Sequence, residues 1–307
     1  MLLRENIPVK YVLGKISNAI ILTTAYVVAV AIIHQNFQST RISIPLGVPT
    51  IMGTVLSLLL AFKSNQAYDR WWEARSLWGA IVNDSRSFAR QVLSFIDNPY
   101  GQEDIENLRE RLVKRQIAWC YCAAQSLRKQ DALGGLDRFL SADEIKHLRK
   151  FESAFFAIHD LQAKDLNMAA KNGWINDFQQ VEMDQTLTRF SNAIGACERI
   201  KNTVFPVLYS MFIHFSLILF IMMLPFGLIE IFGYLMIPVT VAIASSFLLI
   251  EKMAIHLQDP FENRPADTPM TTISQKIERD LTQILRDGKP ADSAAIPVQI
   301  EKPFYVL

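Results

Sequence analysis

The 307-residue chain carries 31 Lys and Arg against 30 Asp and Glu, a formal net charge of +1, and half of its residues are hydrophobic. Near-neutrality argues against nucleic acid or another polyanion as partner, and three cysteines are too few for an extracellular disulfide framework. A mean hydropathy of +0.17 beside 20% charged residues fits apolar blocks alternating with charged ones.

The first residues, MLLRENIPVKYVLGK, keep their charges as far as Lys15. The apolar run that follows is too long for a signal peptide and lacks a small-residue cleavage site. Four charge-free runs are present: Ile16 to Thr40, Ile42 to Phe62, Asn202 to Ile229 and Ile231 to Ile250. At about 1.5 Å per residue, roughly 20 residues cross a ~30 Å hydrocarbon core, so four transmembrane helices in two hairpins are expected. The second run is short and predicts a helix beginning near Pro45, a residue suited to a first turn. Residues 63–201 read as helical throughout, with apolar residues three and four apart and turn residues at Asn98 to Gln102. Ser141 and Glu144 form a capping-box pattern, Asn172-Gly173 stops the next helix, and Asp177 to Lys201 is expected to feed the third span directly.

Basic residues cluster on one side of the spans: Arg4, Lys10 and Lys15, then Lys63 and Arg70, Arg199 and Lys201, and Lys252 and Arg264. Arg41 stands alone in the first connection, and the second, around Pro225 to Glu230, has no Lys or Arg. Such asymmetry predicts a multi-pass protein of the cytoplasmic (inner) membrane with both termini cytoplasmic. The expected organisation is 1–62, an N-terminal segment and first hairpin; 63–201, a cytoplasmic helical region; 202–256, a second hairpin; and 257–307, a cytoplasmic tail.

The stretch GTVLSLLLAFKSNQAYDRWWEARSLWG, Gly53 to Gly79, starts as a membrane segment and ends as a soluble amphipathic helix, with nothing helix-breaking between its terminal glycines. Thr54, Leu58 and Phe62 recur every four residues and stack on one face. Continued, that stripe turns polar at Gln66, Asp69 and Arg70, with Glu73 a turn further on. An apolar constriction opening into a polar vestibule gates a pore by dewetting. An apolar stripe also packs a helix into a bundle, and periodicity leaves both open. Trp71 and Trp72 fit an interfacial aromatic belt, and Arg70, Glu73 and Arg75 fit solvated ion pairs at helix spacing.

AFKSNQAYDRWWEARSLWG as a whole resembles the segment after the pore constriction in the bestrophin family. GACERIKNTVFPVLYSMFIHFSLILF, Gly195 to Phe220, is similar to that family's cytoplasmic helix and third span, and LQDPFENRPADTPMT, Leu257 to Thr271, to its segment after the fourth span. The resemblance covers nearly the whole chain in order, and the chain is identified as a bacterial-type member. It implies an all-α homopentamer in the lipid bilayer that passes small monovalent ions along one five-fold pore, each subunit giving its second membrane helix to the wall. A ring-closing heterologous interface fits this arrangement. It also implies a neck of three apolar rings. Counted back from Arg70-Trp71-Trp72, these fall on Phe62, Leu58 and Thr54, the stripe already drawn. Thr54 departs from the family's bulky apolar outer ring, so a wider or wetter outer neck is expected. A second constriction, the cytoplasmic aperture, counted back from Cys197-Glu198-Arg199, falls on Val181, a position that an ordinary buried side chain would equally explain. Animal and plant relatives pass anions and some bacterial ones prefer cations; the four-span layout and bacterial-style loops tilt the expectation slightly to cations.

No catalytic set converges, and neither enzyme activity nor a cofactor is expected. His34, His147, His159, His214 and His256 are scattered without metal-ligand spacing, and Cys120 and Cys122 point apart on a helix. His214 lies inside a span, where an ionisable residue is a functional candidate or a neutral group bonded to a neighbouring helix. Asp259, Glu262 and Asp267 fall short of the six to eight oxygens that calcium wants, so a rigid turn and no metal site are expected there. A secondary carrier working by alternating access is the alternative function. Carriers commonly show paired repeats with broken helices; no repeated halves are found, although Pro225 and Pro238 interrupt the second hairpin. The ending IPVQIEKPFYVL is apolar, and the family's tail lies across neighbouring subunits, so Phe304 to Leu307 is expected to dock on an adjacent protomer. Truncation after Pro290 is predicted to loosen the pentamer on native mass spectrometry; an unchanged oligomer refutes the docking.

Overall fold

The structure of the chain, a computed structural model, describes residues 14–36, 43–98, 100–203 and 206–286. The tail docking expected of Phe304 to Leu307 lies outside those residues, as do Arg4, Lys10 and Arg41 of the charge pattern. Among the described residues the regular elements are helical: α1 Ser17–Asn36, α2 Gly47–Phe95, α3 Glu103–Leu127, α4 Ala142–Leu148, α5 Ala154–Lys171, α6 Asp177–Asn202, α7 Val207–Phe232, α8 Met236–Leu257 and α9 Met270–Leu285, with a 3-10 turn at Gly233–Leu235. The all-α expectation therefore holds.

Two compact units emerge, one of residues 14–71 with 206–259 and the other of 72–203 with 260–286. The division falls inside α2, which runs for 49 residues without interruption. Pro49 sits in its first turn, where a missing N–H is not missed.

In the 14–71 and 206–259 unit, α1, α7 and α8 pack on one another. The core combines Val27 and Val30 of α1, Leu56 and Leu60 of α2, and Leu217 and Phe220 of α7. Outward faces stay apolar, with Ile21, Leu22, Leu208, Phe212 and Phe215 exposed, a larger apolar surface than water tolerates without a partner or lipid. Three stretches are long and apolar enough to cross a membrane: Ser17–Asn36, Gly47–Phe95 and Val207–Leu257.

The last of these is folded as α7 and α8, and its details correct the expectation. The connection is not around Pro225 to Glu230. Pro225 lies inside α7, and the reversal comes at Gly233, whose φ of +52° suits a residue without a Cβ. Within membranes a helix tolerates such a proline when neighbouring groups compensate the backbone; one residue past the carbonyl it frees, the Tyr26 hydroxyl donates to the Met222 carbonyl at 2.7 Å. Pro238 falls in the first turn of α8, a permitted place. Nor does α6 feed the third span directly: it ends at Asn202, Thr203 is extended, and α7 begins after Pro206, which has no N–H with which to continue a helix.

The other unit is built around α3, which is buried along most of its length and packs on α5, α6 and α9. Its buried charge is paired: Arg115 reaches Glu144 at 2.6 Å and Asp165 at 2.7 Å. The predicted capping box is present, with Ser141 accepting from the Glu144 N–H and Glu144 accepting from the Ser141 N–H. Asn176 and Gln179 form a second box at the head of α6. The three cysteines are free and buried, and burial pushes the Cys120 thiol up to about 12, so it stays protonated and inert.

His159 stacks on Trp119 with ring centroids 4.6 Å apart and lies beside Phe190. Burial pushes its pKa down to about 3. In the unfolded chain an imidazole titrates near 6.5, so between these values the unfolded state binds the extra proton and stability falls as pH falls. Each pH unit well inside that window costs about 1.4 kcal/mol. Detergent-solubilised protein is expected to lose Tm as pH falls from 6.5 to 5, where carboxylates remain largely ionised, and His159→Phe, which keeps the stack, is expected to flatten that slope. An unflattened slope would remove His159 as its source.

Candidate functional site

Helix α2 has two unlike sides. Leu56, Leu60, Lys63, Ala67, Ala74, Trp78 and Ile81 are buried and recur at the helical period. Opposite them Ile51, Thr54, Leu58, Phe62, Gln66, Asp69, Glu73 and Ser76 form an exposed stripe. Leu58 is 69% exposed and Phe62 54%, so most of each side chain is left uncovered by its own chain. The stripe is apolar as far as Phe62 and polar beyond it.

Local contacts fix this face. The Thr54 hydroxyl donates to the Thr50 carbonyl at 3.0 Å, which commits its proton to the helix backbone. The Phe62 ring meets Tyr209 of α7 edge to face, with centroids 6.3 Å apart, a geometry that aromatic pairs favour. The head of α2 lies close against α7: a Cβ on Gly227 would stand 2.8 Å from Pro49 Cγ, and one on Gly53 would stand 3.1 Å from the Phe220 ring. The Ile44 N–H donates to the Phe226 carbonyl at 3.3 Å.

The predicted polar residues divide. Gln66 and Asp69 lie on the exposed stripe, whereas Arg70 is half-buried and its Nε donates to the Gln258 carbonyl at 3.0 Å. In the 72–203 and 260–286 unit, Glu73 is paired with Arg199 at 2.6 Å. Val181, in that same unit, is 56% exposed near the head of α6, so it is not an ordinary core side chain. Gln91, hydrogen-bonded to Glu182 at 3.3 Å and to Thr186 at 2.9 Å, helps fix the face of α6 that leaves Val181 outward.

Sequence reasoning missed the group behind the stripe. Glu251 of α8, 4% exposed, has His214 Nδ1 within 3.1 Å of both carboxylate oxygens. Lys63 is completely buried, and its Nζ has no hydrogen-bond partner. The signal available was His214 inside a span and Glu251 one residue past the fourth charge-free run, which ends at Ile250 although α8 continues to Leu257.

Long apolar helices, an outward apolar surface and a bare helix face of changing polarity define an all-helical membrane protein. The chain belongs to the bestrophins: residues 7–283 match the Bacterial/Fungal Bestrophin protein family. It is similar to the "voltage-dependent anion channel-forming protein YneE" of Escherichia coli K12, 30% identical over 94% of this chain and 91% of that protein. A "voltage-dependent anion channel-forming protein" of Ralstonia nicotianae is 28% identical over 86% of this chain and 85% of its own length. Among solved structures, a bacterial bestrophin homologue from Klebsiella pneumoniae matches with a TM-score of 0.81 and 25% identity, over 88% of this chain and 98% of that one.

The glycine contacts yield a prediction about the seating of α2. Gly227→Ala forces a methyl into the Pro49 ring and is expected to destabilise by about 1–3 kcal/mol, the usual cost of overpacking. Gly53→Ala meets only the rim of a phenyl ring and is expected to cost less. Thermal unfolding in detergent reads both; equal Tm values for wild type and Gly227→Ala would show that the helix head is not held there.

Proposed function

We propose that the chain is one subunit of a homopentameric ion channel whose wall is the exposed stripe of α2, with Thr54, Leu58 and Phe62 as the neck. The carrying observation is that this stripe stays exposed in its own chain and turns from apolar to polar beyond Phe62. A water-filled lumen suits such a face: the apolar rings gate by dewetting, and the polar residues beyond them rehydrate the ion. Four spans are read here, α1, the apolar part of α2, α7 and α8, with both termini on the cytoplasmic side of the inner membrane. Gln66, Asp69, Arg70 and Glu73 are assigned to the vestibule, Arg70 and Glu73 being held by their partners and Gln66 and Asp69 facing the lumen. Val181 forms the second constriction.

The family and the names of its relatives support permeation of small monovalent ions, and those names speak of anions. Chloride is accordingly placed ahead of potassium, against the slight tilt towards cations that the loops suggested. The alternative of a carrier draws on Pro225, yet that residue sits inside a continuous α7.

Purified protein in planar bilayers under a KCl gradient tests the proposal. Current reversing on the chloride side of zero is expected, and Leu58→Ala and Phe62→Ala should each change conductance and relative permeability. Leu58→Ala is expected to leave Tm nearly unchanged, because that side chain is 69% exposed in its own chain, and Phe62→Ala to lose only the ring contact with Tyr209. Reversal near the potassium potential would reverse the assigned selectivity. No current from intact pentamers would favour the carrier.

A further inference from the structure

A cavity of about 260 Å³ lies at the end of the 14–71 and 206–259 unit where α7 turns back into α8. Ala31, His34 and Gln35 line it from the last turns of α1, and Ile229, Tyr234 and Met236 from the end of α7 and its connection to α8. The lining is layered. Ala31, Ile229 and Met236 are buried and make an apolar floor, whereas His34 is half-buried and Gln35 and Tyr234 are exposed. This layering follows depth in the bilayer. Helix α1 is 20 residues long, and at about 1.5 Å per residue it matches a hydrocarbon core of about 30 Å. His34 and Gln35 therefore stand at the boundary of that core and Ala31 one turn inside it. Neighbouring Ile33, Phe232 and Leu235 are exposed, an apolar collar suited to lipid.

We propose that this cavity binds a phospholipid, its polar lining holding ester and phosphate oxygens and its floor the first methylenes of one chain. The proposal rests on the spans read above, α1, α7 and α8, and does not need the neck. His, Gln and Tyr side chains each carry an N–H or O–H to donate, which suits a ligand rich in acceptor oxygens. Among the described residues no Lys or Arg lines the cavity, so the net charge of the head is not read. Pockets that enclose a small molecule commonly measure about 300–1,000 Å³. At about 260 Å³ this one holds a segment of a longer molecule whose remainder stays in the bilayer. A soluble head group has no chain with which to cover the floor and the collar.

Native mass spectrometry of the full-length protein in detergent, titrated with dioleoylphosphatidylethanolamine or dioleoylphosphatidylglycerol, tests the proposal. Wild type is expected to retain one lipid per subunit, of either kind, after washing. Ala31→Phe puts a ring into the floor and is expected to lower that retention several-fold. Where Ala31→Phe does not fold, His34→Leu/Tyr234→Phe removes two donors without filling the cavity and is expected to weaken retention likewise. Thermal unfolding supplies the second readout, since a ligand that binds only the folded state raises Tm. Either lipid is expected to raise the Tm of wild type and to raise that of the variants much less, while glycerophosphoethanolamine, a head without chains, raises none. Equal retention and equal Tm gain in wild type and variants overturn the proposal. Stabilisation by glycerophosphoethanolamine alone also overturns it, by making the site one for a soluble ligand. Extraction of the protein from membranes by alkaline carbonate without detergent would overturn the spans themselves; a protein that stays in the membrane but binds lipid regardless of these substitutions overturns only this site.

Discussion

Helix α2 packs one side along its length and leaves the other bare, and the bare side changes from apolar to polar beyond Phe62. A stripe that is part apolar and part polar suits neither lipid alone nor a protein core alone. In the proposed pore, where copies of the chain close around an axis, the polar part faces water and the apolar rings act as a dry constriction. Other features of the 14–71 and 206–259 unit hold α2 in place. Gly227 and Gly53 allow α2 to lie close against α7, Tyr209 steadies the Phe62 ring, and Arg70 ties the helix to the end of α8.

The two units hold themselves together differently. The 72–203 and 260–286 unit has a conventional core around α3, with ion pairs such as Arg115 with Glu144 and Asp165 satisfied at short range. In the other unit apolar burial is shared with outward apolar faces, and its few buried charges are conspicuous.

Much of the fold was legible. Helix periods placed α2 and α3, Ser141 and Glu144 announced their cap, and four-residue spacing drew the stripe of Thr54, Leu58 and Phe62 before any coordinates. The misreadings share one cause, which is that local signals say nothing about which neighbours are available. Pro225 looked like a break, but the helix carries on through it to Gly233. The stretch from α6 to α7 looked continuous, yet Pro206 begins a new helix. Ile250 looked like the end of a span because Glu251 is charged, whereas His214 satisfies that carboxylate within the bundle.

The sequence alone determined the helical class, the apolar stretches and the amphipathic register of α2, because these follow from composition and a 3.6-residue period that each segment carries within itself. It also carried the resemblance from which the neck is proposed. Only the tertiary structure decided which side of α2 is bare, that Val181 points outward and not into a core, and that Glu251 and His214 are neighbours. Those are properties of contacts between residues far apart in the chain, such as Arg70 and the Gln258 carbonyl, 188 positions apart, and no local pattern encodes a partner that distant.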